Sequence, residues 1–238
     1  RLTRPVSEIS VPETVQEVIG ARIDRLSSSA KRTVQVAAVL GRQFRRDQLE
    51  LLLAGENIAV AAELEELEHR GIVHRKTLLS EEEFRFGESV TQELAYESLL
   101  TRERRALHGR IARLVEQTAG ESSAERSALL AHHFARSDER DKAIEALLRA
   151  AADAERVPSY HAAREFYRAA WNMASQALDA SPDESLRRHA LSAAMGFCHM
   201  SVIYASTGET DEIERIARRG RELALQLEVV VHALAHVA

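Results

Sequence analysis

Two amphipathic patterns separated by serines occupy the chain from Val11 to Gly41. VPETVQEVIGARIDRLS begins with a proline and a threonine beside glutamates, which are helix-start signals, and SSSAKRTVQVAAVLG offers serines as caps and Gly41 as a stop. Both segments carry apolar residues at helical spacing, so each predicts a helix. The predicted inward positions are Val15, Val18, Ile19, Ile23 and Leu26 in the first helix and Val34, Ala37, Ala38 and Val39 in the second.

Two further helices and a hairpin are predicted between Phe44 and Glu88. FRRDQLELLLAG predicts a short extended pair and a short helix. NIAVAAELEELEHRG predicts a fourth helix that ends at Gly71, with inward positions Ile58, Val60, Ala61, Leu64 and Leu67. IVHRKTLL and EEFRFGE are short β-rich runs around a polar turn. The order helix, strand, helix, helix, hairpin predicts a winged-helix-like unit over residues 11–88, preceded by a polar linker at 1–10.

Beyond Val90 the pattern is helical throughout, with connecting helices expected over 89–120 and helical repeats over 121–238. Small residues recur at offsets of twelve and then seven positions, as in tetratricopeptide repeats. Ala151, Ala163 and Ala170 follow this spacing, and so do Ala131, Ala143 and Ala150. Ser201, Ile213 and Gly220 fit the pattern more loosely. The two sets of alanines overlap, which leaves the repeat phase open. The expected fold is mainly α, with a small β-hairpin and a TPR-like α-solenoid of antiparallel helix pairs.

Three segments resemble the region after the nucleotide-binding domain of bacterial STAND-type signalling ATPases. They are VPETVQEVIGARIDRLSSSAKRTVQVAAVLGRQF, FRFGESVTQELAYESLLTRERRALHGRIARLVE and LLAHHFARSDERDKAIEALLRAAADAE, together spanning roughly Val11 to Glu155. The resemblance implies a regulatory arm that senses a partner protein or small ligand and controls an upstream ATPase domain of the same chain. Relatives commonly carry histidine where this chain has Glu88, and a carboxylate there would repel a nucleotide phosphate.

Composition narrows the choice of compartment and partner. The net charge of -5 over 238 residues supplies no global field that attracts nucleic acid or an anionic membrane. Cys198 is the only cysteine, which excludes an intrachain disulfide and fits a reducing, cytoplasmic setting. No stretch approaches the roughly 20 apolar residues of a membrane helix, so no membrane association is expected.

Nucleic-acid binding is the main alternative to the regulatory interpretation. It requires the third helix of a winged helix to meet DNA, and here that helix carries Glu63, Glu65, Glu66 and Glu68. The acidic sequence of this helix therefore disfavours nucleic acid as a partner. A DNA-binding regulator would depend on His74, Arg75 and Lys76 of the wing and on Arg102, Arg104 and Arg105 beyond it.

No catalytic, cofactor or metal site is predicted. The sequence lacks a G-x-x-x-x-G-K phosphate loop, and Cys198 and His199 diverge on a helix. His132 and His133 are adjacent and expected to point apart, whereas His232 and His236 would need a third ligand from elsewhere. A hydrolase or metalloenzyme would need bound zinc or turnover. Candidate partner-binding residues are Tyr160, Tyr167 and Trp171, for which core packing is the competing role.

Overall fold

A computed structural model of the chain describes residues 13–78, 81–117, 123–157, 159–181, 183–204 and 210–235. Within these ranges it contains eleven α-helices and three short strands, which confirms the mainly α prediction. Contacts divide the chain into two compact units, Arg1–Ile111 and Ala112–Ala238. The segment 89–120, expected to connect two domains, thus contributes to both units, and the linker predicted at 1–10 lies outside the described residues.

The first unit has the element order expected of a winged helix. Its elements are α1 Glu13–Asp24, α2 Ser28–Leu40, β1 Gln43–Arg45, α3 Arg46–Leu53, α4 Val60–His69, β2 Val73–Leu78, β3 Glu81–Phe86, α5 Ser89–Glu97 and the first part of α6 Thr101–Gln117. The three strands form an antiparallel sheet in the order β1-β3-β2. The hairpin is therefore confirmed, and the short segment after α2 supplies its third strand.

Helix α2 shows how local sequence sets the element bounds. The Ser27 hydroxyl accepts a hydrogen bond from the backbone N–H of Ala30 at 3.0 Å, which caps the first turn. Gly41 ends the helix with φ 130°, a conformation that favours glycine. The predicted inward face of Val34, Ala37, Ala38 and Val39 is buried.

Three phenylalanines form the centre of the sheet's buried face. Phe44 stacks on Phe84 with ring centroids 5.9 Å apart and lies 5.8 Å from Phe86 at a tilted angle. Antiparallel pairing places Phe44 opposite Phe84, and Val73 opposite Phe86. These rings stabilise the core by more than the burial of their apolar area alone, because aromatic pairs at such distances attract one another.

The inward faces predicted for the first and fourth helices need adjustment. Val18 was expected on the buried face of α1 but is 63% exposed, while Ile19, Ile23 and Leu26 are buried. The buried stripe of α1 is narrower than the stripe of apolar residues in its sequence, since this helix packs mainly against α5. Of the positions predicted inward on the fourth helix, Val60, Leu64 and Leu67 are buried and Ala61 is partly buried, whereas Ile58 precedes α4 and is also only partly buried.

The second unit is a succession of packed helices. It holds α7 Ala124–Phe134, α8 Arg140–Arg156, α9 Tyr160–Ala180, α10 Glu184–Tyr204 and α11 Thr210–Ala235. Each helix packs on the next one along the chain, and α10 also contacts α8. The small residues at the predicted repeat offsets are buried in this core, including Ala151, Ala163 and Ala170. Alanine at these positions lets neighbouring helix backbones approach closely. None of the described helices combines the length and apolar character needed to cross a membrane.

Candidate functional site

The wing cations of the DNA alternative are occupied by intramolecular ion pairs. Arg75 Nη1 lies 3.0 Å from Glu82 Oε1, and Arg75 Nε lies 3.4 Å from Glu68 Oε2. The same guanidinium sits 5.4 Å from the centre of the Phe84 ring. Lys76 Nζ lies 3.8 Å from Glu83 Oε2. Phosphate would have to compete with these carboxylates for each cation.

Glu82 joins this wing to α3. Arg46 donates hydrogen bonds to Glu82 Oε2 at 2.9 Å and to Glu50 Oε1 at 2.7 Å. The bond from Arg46, together with the charge of Arg75, holds the pKa of the Glu82 carboxyl below its usual range. The ion pairs therefore favour the ionised form of the Glu82 carboxyl and balance the positive charge of Arg46 and Arg75 locally.

The remaining residues of the DNA alternative lie on α6 and at the start of the wing. Arg102 and Arg105 are exposed, while Arg104 lies 5.1 Å over the Tyr96 ring and donates to Thr101 Oγ1 at 3.3 Å. The exposed His74 packs on Gly87, where an added Cβ would lie 3.0 Å from Nε2.

The outward surface of α4 is acidic, as its sequence predicts. Glu65 and Glu66 are exposed, and Glu63 and Glu68 are partly exposed. Glu66 pairs with Arg70 at 2.5 Å, which neutralises one carboxylate next to the helix end. Glu88, the departure from the resembling family, is an exposed residue that precedes α5 in an extended conformation.

The three candidate partner-binding aromatics differ in accessibility. Tyr160 is 39% exposed, whereas Tyr167 and Trp171 are each 8% exposed and belong to the core of the second unit. Burial and a hydrogen bond with Glu155 raise the pKa of the Tyr167 hydroxyl. Of these three rings, only that of Tyr160 is open to a partner.

Two buried polar contacts in the second unit are not predicted by the sequence. Ser127 Oγ donates to Asp153 Oδ2 at 2.5 Å, and Arg156 pairs with the same carboxylate at 2.6 Å. Arg164, 4% exposed, donates to Ser201 Oγ at 3.0 Å. Asp153 is 8% exposed, although the acidic and basic residues spaced three or four apart in the α8 sequence are typical of a solvated helix face. Nothing in single-helix periodicity signals a partner on another helix.

The adjacent histidines of α7 contact one another instead of pointing apart. The rings of His132 and His133 are 5.0 Å apart at their centres in an edge arrangement. Arg136 Nη1 lies 3.1 Å from His132 Nδ1, and burial followed by this positive charge lowers the pKa of His132. A neutral imidazole is thereby favoured. The His232 side chain and all of His236 lie outside the described residues.

An apolar groove runs between α10 and α11, with a volume of about 290 Å³. Its walls include Leu191, Met195 and Cys198 of α10 and Ala217, Arg221 and Ala224 of α11. Burial raises the pKa of the Cys198 thiol, so it remains protonated at neutral pH. The sequence carried a signal for this surface, because Leu191, Met195, Cys198 and Val202 recur at helical spacing.

A larger cavity of about 550 Å³ lies between α3 and α4 in the first unit. It is lined mainly by apolar and backbone groups, including those of Leu53, Ile58 and Val60. Its lining carboxylate, Glu50, is held by Arg46 at 2.7 Å. The cavity therefore presents no assembled set of catalytic groups.

Comparison of the chain with protein-family models, curated proteins and solved structures finds no match.

Proposed function

We propose that this chain is a non-catalytic regulatory module of a bacterial signalling ATPase. The helical unit binds a partner protein or ligand, and the winged-helix-like unit couples that event to a nucleotide-binding domain of the parent protein. The sequence resemblance over residues 11–155 is the basis for the ATPase. The site geometry is the basis for protein interaction.

The main support for the interaction role is the contrast between the charged surface of the first unit and the apolar groove of the second. In the first unit, Arg75 is paired with Glu82 and Glu68, and α4 presents further carboxylates to solvent. In the second unit, α10 and α11 leave an apolar groove whose wall residue Met195 is 65% exposed. Apolar surface of this kind favours protein contacts. A surface whose cations are already paired with carboxylates, and which carries further acidic side chains, disfavours the binding of phosphate.

The coupling is tested by crosslinking within the intact parent protein. Lysine- and carboxylate-reactive crosslinkers, followed by mass spectrometry, are applied without nucleotide, with ADP and with ATP. Crosslinks between residues 13–117 and the nucleotide-binding domain that change with nucleotide support the coupling. Absence of such crosslinks in every nucleotide state overturns it.

The alternative, a DNA-binding regulator, has one favourable observation in the exposed Arg102 and Arg105 of α6. It is tested by fluorescence anisotropy of a labelled DNA duplex at low and physiological salt. The regulatory proposal expects no saturable binding at either salt concentration. Micromolar binding that weakens steeply with salt and is lost in the Arg104→Glu, Arg105→Glu double variant favours the regulator.

A further inference from the structure

The groove between α10 and α11 repeats, in open form, an interface that is closed elsewhere in the same unit. Ser201, Ile213 and Gly220 follow the spacing of Ala151, Ala163 and Ala170, which aligns the pair α10 and α11 with the pair α8 and α9. On this alignment Ala217 and Arg221 correspond to Tyr167 and Trp171. The element that packs on α8 and α9 therefore indicates what kind of element would cover the groove between α10 and α11.

In the earlier pair, the covering element is α10 itself. Helix α10 packs along α9 and also contacts α8. Gly196 of α10 lies against the Tyr167 ring, and Ala193 and Phe197 of α10 share one buried cluster with Tyr167 and Trp171. A helix with a stripe of small and apolar side chains thus closes this surface.

The open groove differs from its counterpart in volume and charge. Ala217 replaces the bulk of Tyr167, and Arg221 replaces the buried Trp171. Helices α10 and α11 approach closely at the base, where an added Cβ on Gly220 would lie 3.2 Å from the Ala194 Cβ. Because Ala217 is small where the earlier pair has Tyr167, the groove leaves room above this base for a bulky apolar side chain of a partner.

Arginines supply the polar edge of the groove. Arg221 is an exposed wall residue and takes part in none of the ion pairs of the described residues. Exposed Arg218 lies one turn away on α11. A carboxylate beside the apolar stripe of an incoming helix would complement this charge.

We propose that the groove between α10 and α11 binds an amphipathic helix of a partner protein, which inserts a bulky apolar residue over Ala217 and places a carboxylate against Arg221. This inference rests on the proposed protein-interaction role but is independent of the coupling to an ATPase. Met195, 65% exposed on α10, provides an adaptable apolar wall for the partner.

The test uses peptides derived from the helix that closes the equivalent surface. A fluorescein-labelled peptide with the sequence Glu184–Tyr204 carries Gly196→Leu for volume, Ala193→Glu for charge and Cys198→Ala. Residues 193 and 196 lie one helical turn apart, as do residues 217 and 221 of the groove. A second peptide carries Ala193→Lys in place of Ala193→Glu.

Binding to the full chain is measured by anisotropy and by protection of Cys198 from iodoacetamide. We expect saturable binding of the glutamate peptide, protection of Cys198 and weaker binding in the Met195→Glu chain. Arg221→Glu should weaken the glutamate peptide about tenfold and restore binding of the lysine peptide. Leu51→Glu, a change at a comparably exposed apolar residue of α3, is the matched control and should leave binding unchanged.

Three results would overturn the proposal. These are no saturable binding of the glutamate peptide, equal binding by the wild-type, Met195→Glu and Arg221→Glu chains, or a dimer in sedimentation equilibrium that Met195→Glu converts to monomer. The last result would assign the groove to a second copy of this chain. None of them bears on the nucleotide-dependent crosslinks, so failure here and failure of the coupling are distinguishable.

Discussion

Gly196 of α10 lies against the ring of Tyr167 on α9 so closely that an added Cβ would be 2.4 Å from Tyr167 Cζ. Real side chains do not tolerate that distance, and the ring is held in the core by its neighbours. The glycine therefore sets how closely α9 and α10 pack. The same contact closes the surface of α8 and α9 that corresponds to the open groove between α10 and α11.

Gly196→Ala should destabilise the second unit. Displacing the Tyr167 ring costs about 1–3 kcal/mol, which exceeds the gain of about 1 kcal/mol from the higher helix propensity of alanine. Urea unfolding followed by the fluorescence of Trp171, the single tryptophan, measures the effect in this unit. Gly20→Ala is the control, because nothing lies within 4 Å of its added Cβ, and it should stabilise α1 in far-UV circular dichroism. Equal stability of wild-type and Gly196→Ala chains would contradict the packing described here.

Phe84→Ala should unfold the first unit more readily than any surface change. Phe84 is 1% exposed and contacts Phe44, so the variant loses buried area and leaves a cavity at a cost of about 3–5 kcal/mol. Thermal unfolding followed by circular dichroism should show a lower midpoint for this unit. Val18→Ala, on the exposed side of α1, should change stability by about 0.5 kcal/mol or less. A similar loss in both variants would argue against a core centred on Phe84.

Trp171 should behave as a core residue and not as part of a recognition surface. Its side chain is almost fully buried, so its emission should be blue-shifted from that of free tryptophan and resist acrylamide quenching. Addition of the glutamate peptide described above should leave its accessibility unchanged, because the groove is lined by α10 and α11. Strong quenching in the native chain would return Trp171 to the partner-binding candidates.

Much of the fold follows from local pattern. The winged-helix order was predictable because α2, α4 and the hairpin each have a strong period and a clear stop, such as Gly41 and Gly71. The third strand was harder to predict, since Gln43–Arg45 is too short for a period and is defined by pairing with β3. Helical repeats were predictable from the small residues at fixed offsets, such as Ala163 and Ala170.

The surfaces were less predictable than the core. Arg75 belongs to a basic run in the sequence, but its charge is balanced by Glu82 and Glu68 once the strands pair. Conversely, Met195 looks like an ordinary core position of an apolar helix and is largely exposed. Which face of a helix is covered depends on the neighbouring helices, and a single sequence gives that information only through its internal repeat.

The stability of the first unit should depend on pH through Glu56. Arg32 donates to both carboxylate oxygens, at 2.8 and 3.1 Å, and this hydrogen bonding is the main reason that the pKa of Glu56 lies below its ordinary value of 4.5. As the pH falls, the unfolded chain is protonated at Glu56 before the folded chain. The contribution of Glu56 to the free energy of unfolding is therefore complete above about pH 4.5 and is lost as the pH falls through the lowered pKa of the folded state. Glu56→Gln should reduce stability by about 1 kcal/mol or less at neutral pH. It should also flatten the decline in unfolding free energy in acid, measured by urea titration at successive pH values, whereas Glu65→Gln on the exposed face of α4 should keep the wild-type slope. An unchanged acid slope in Glu56→Gln would show that Arg32 gives the carboxylate no preferential stabilisation in the folded chain.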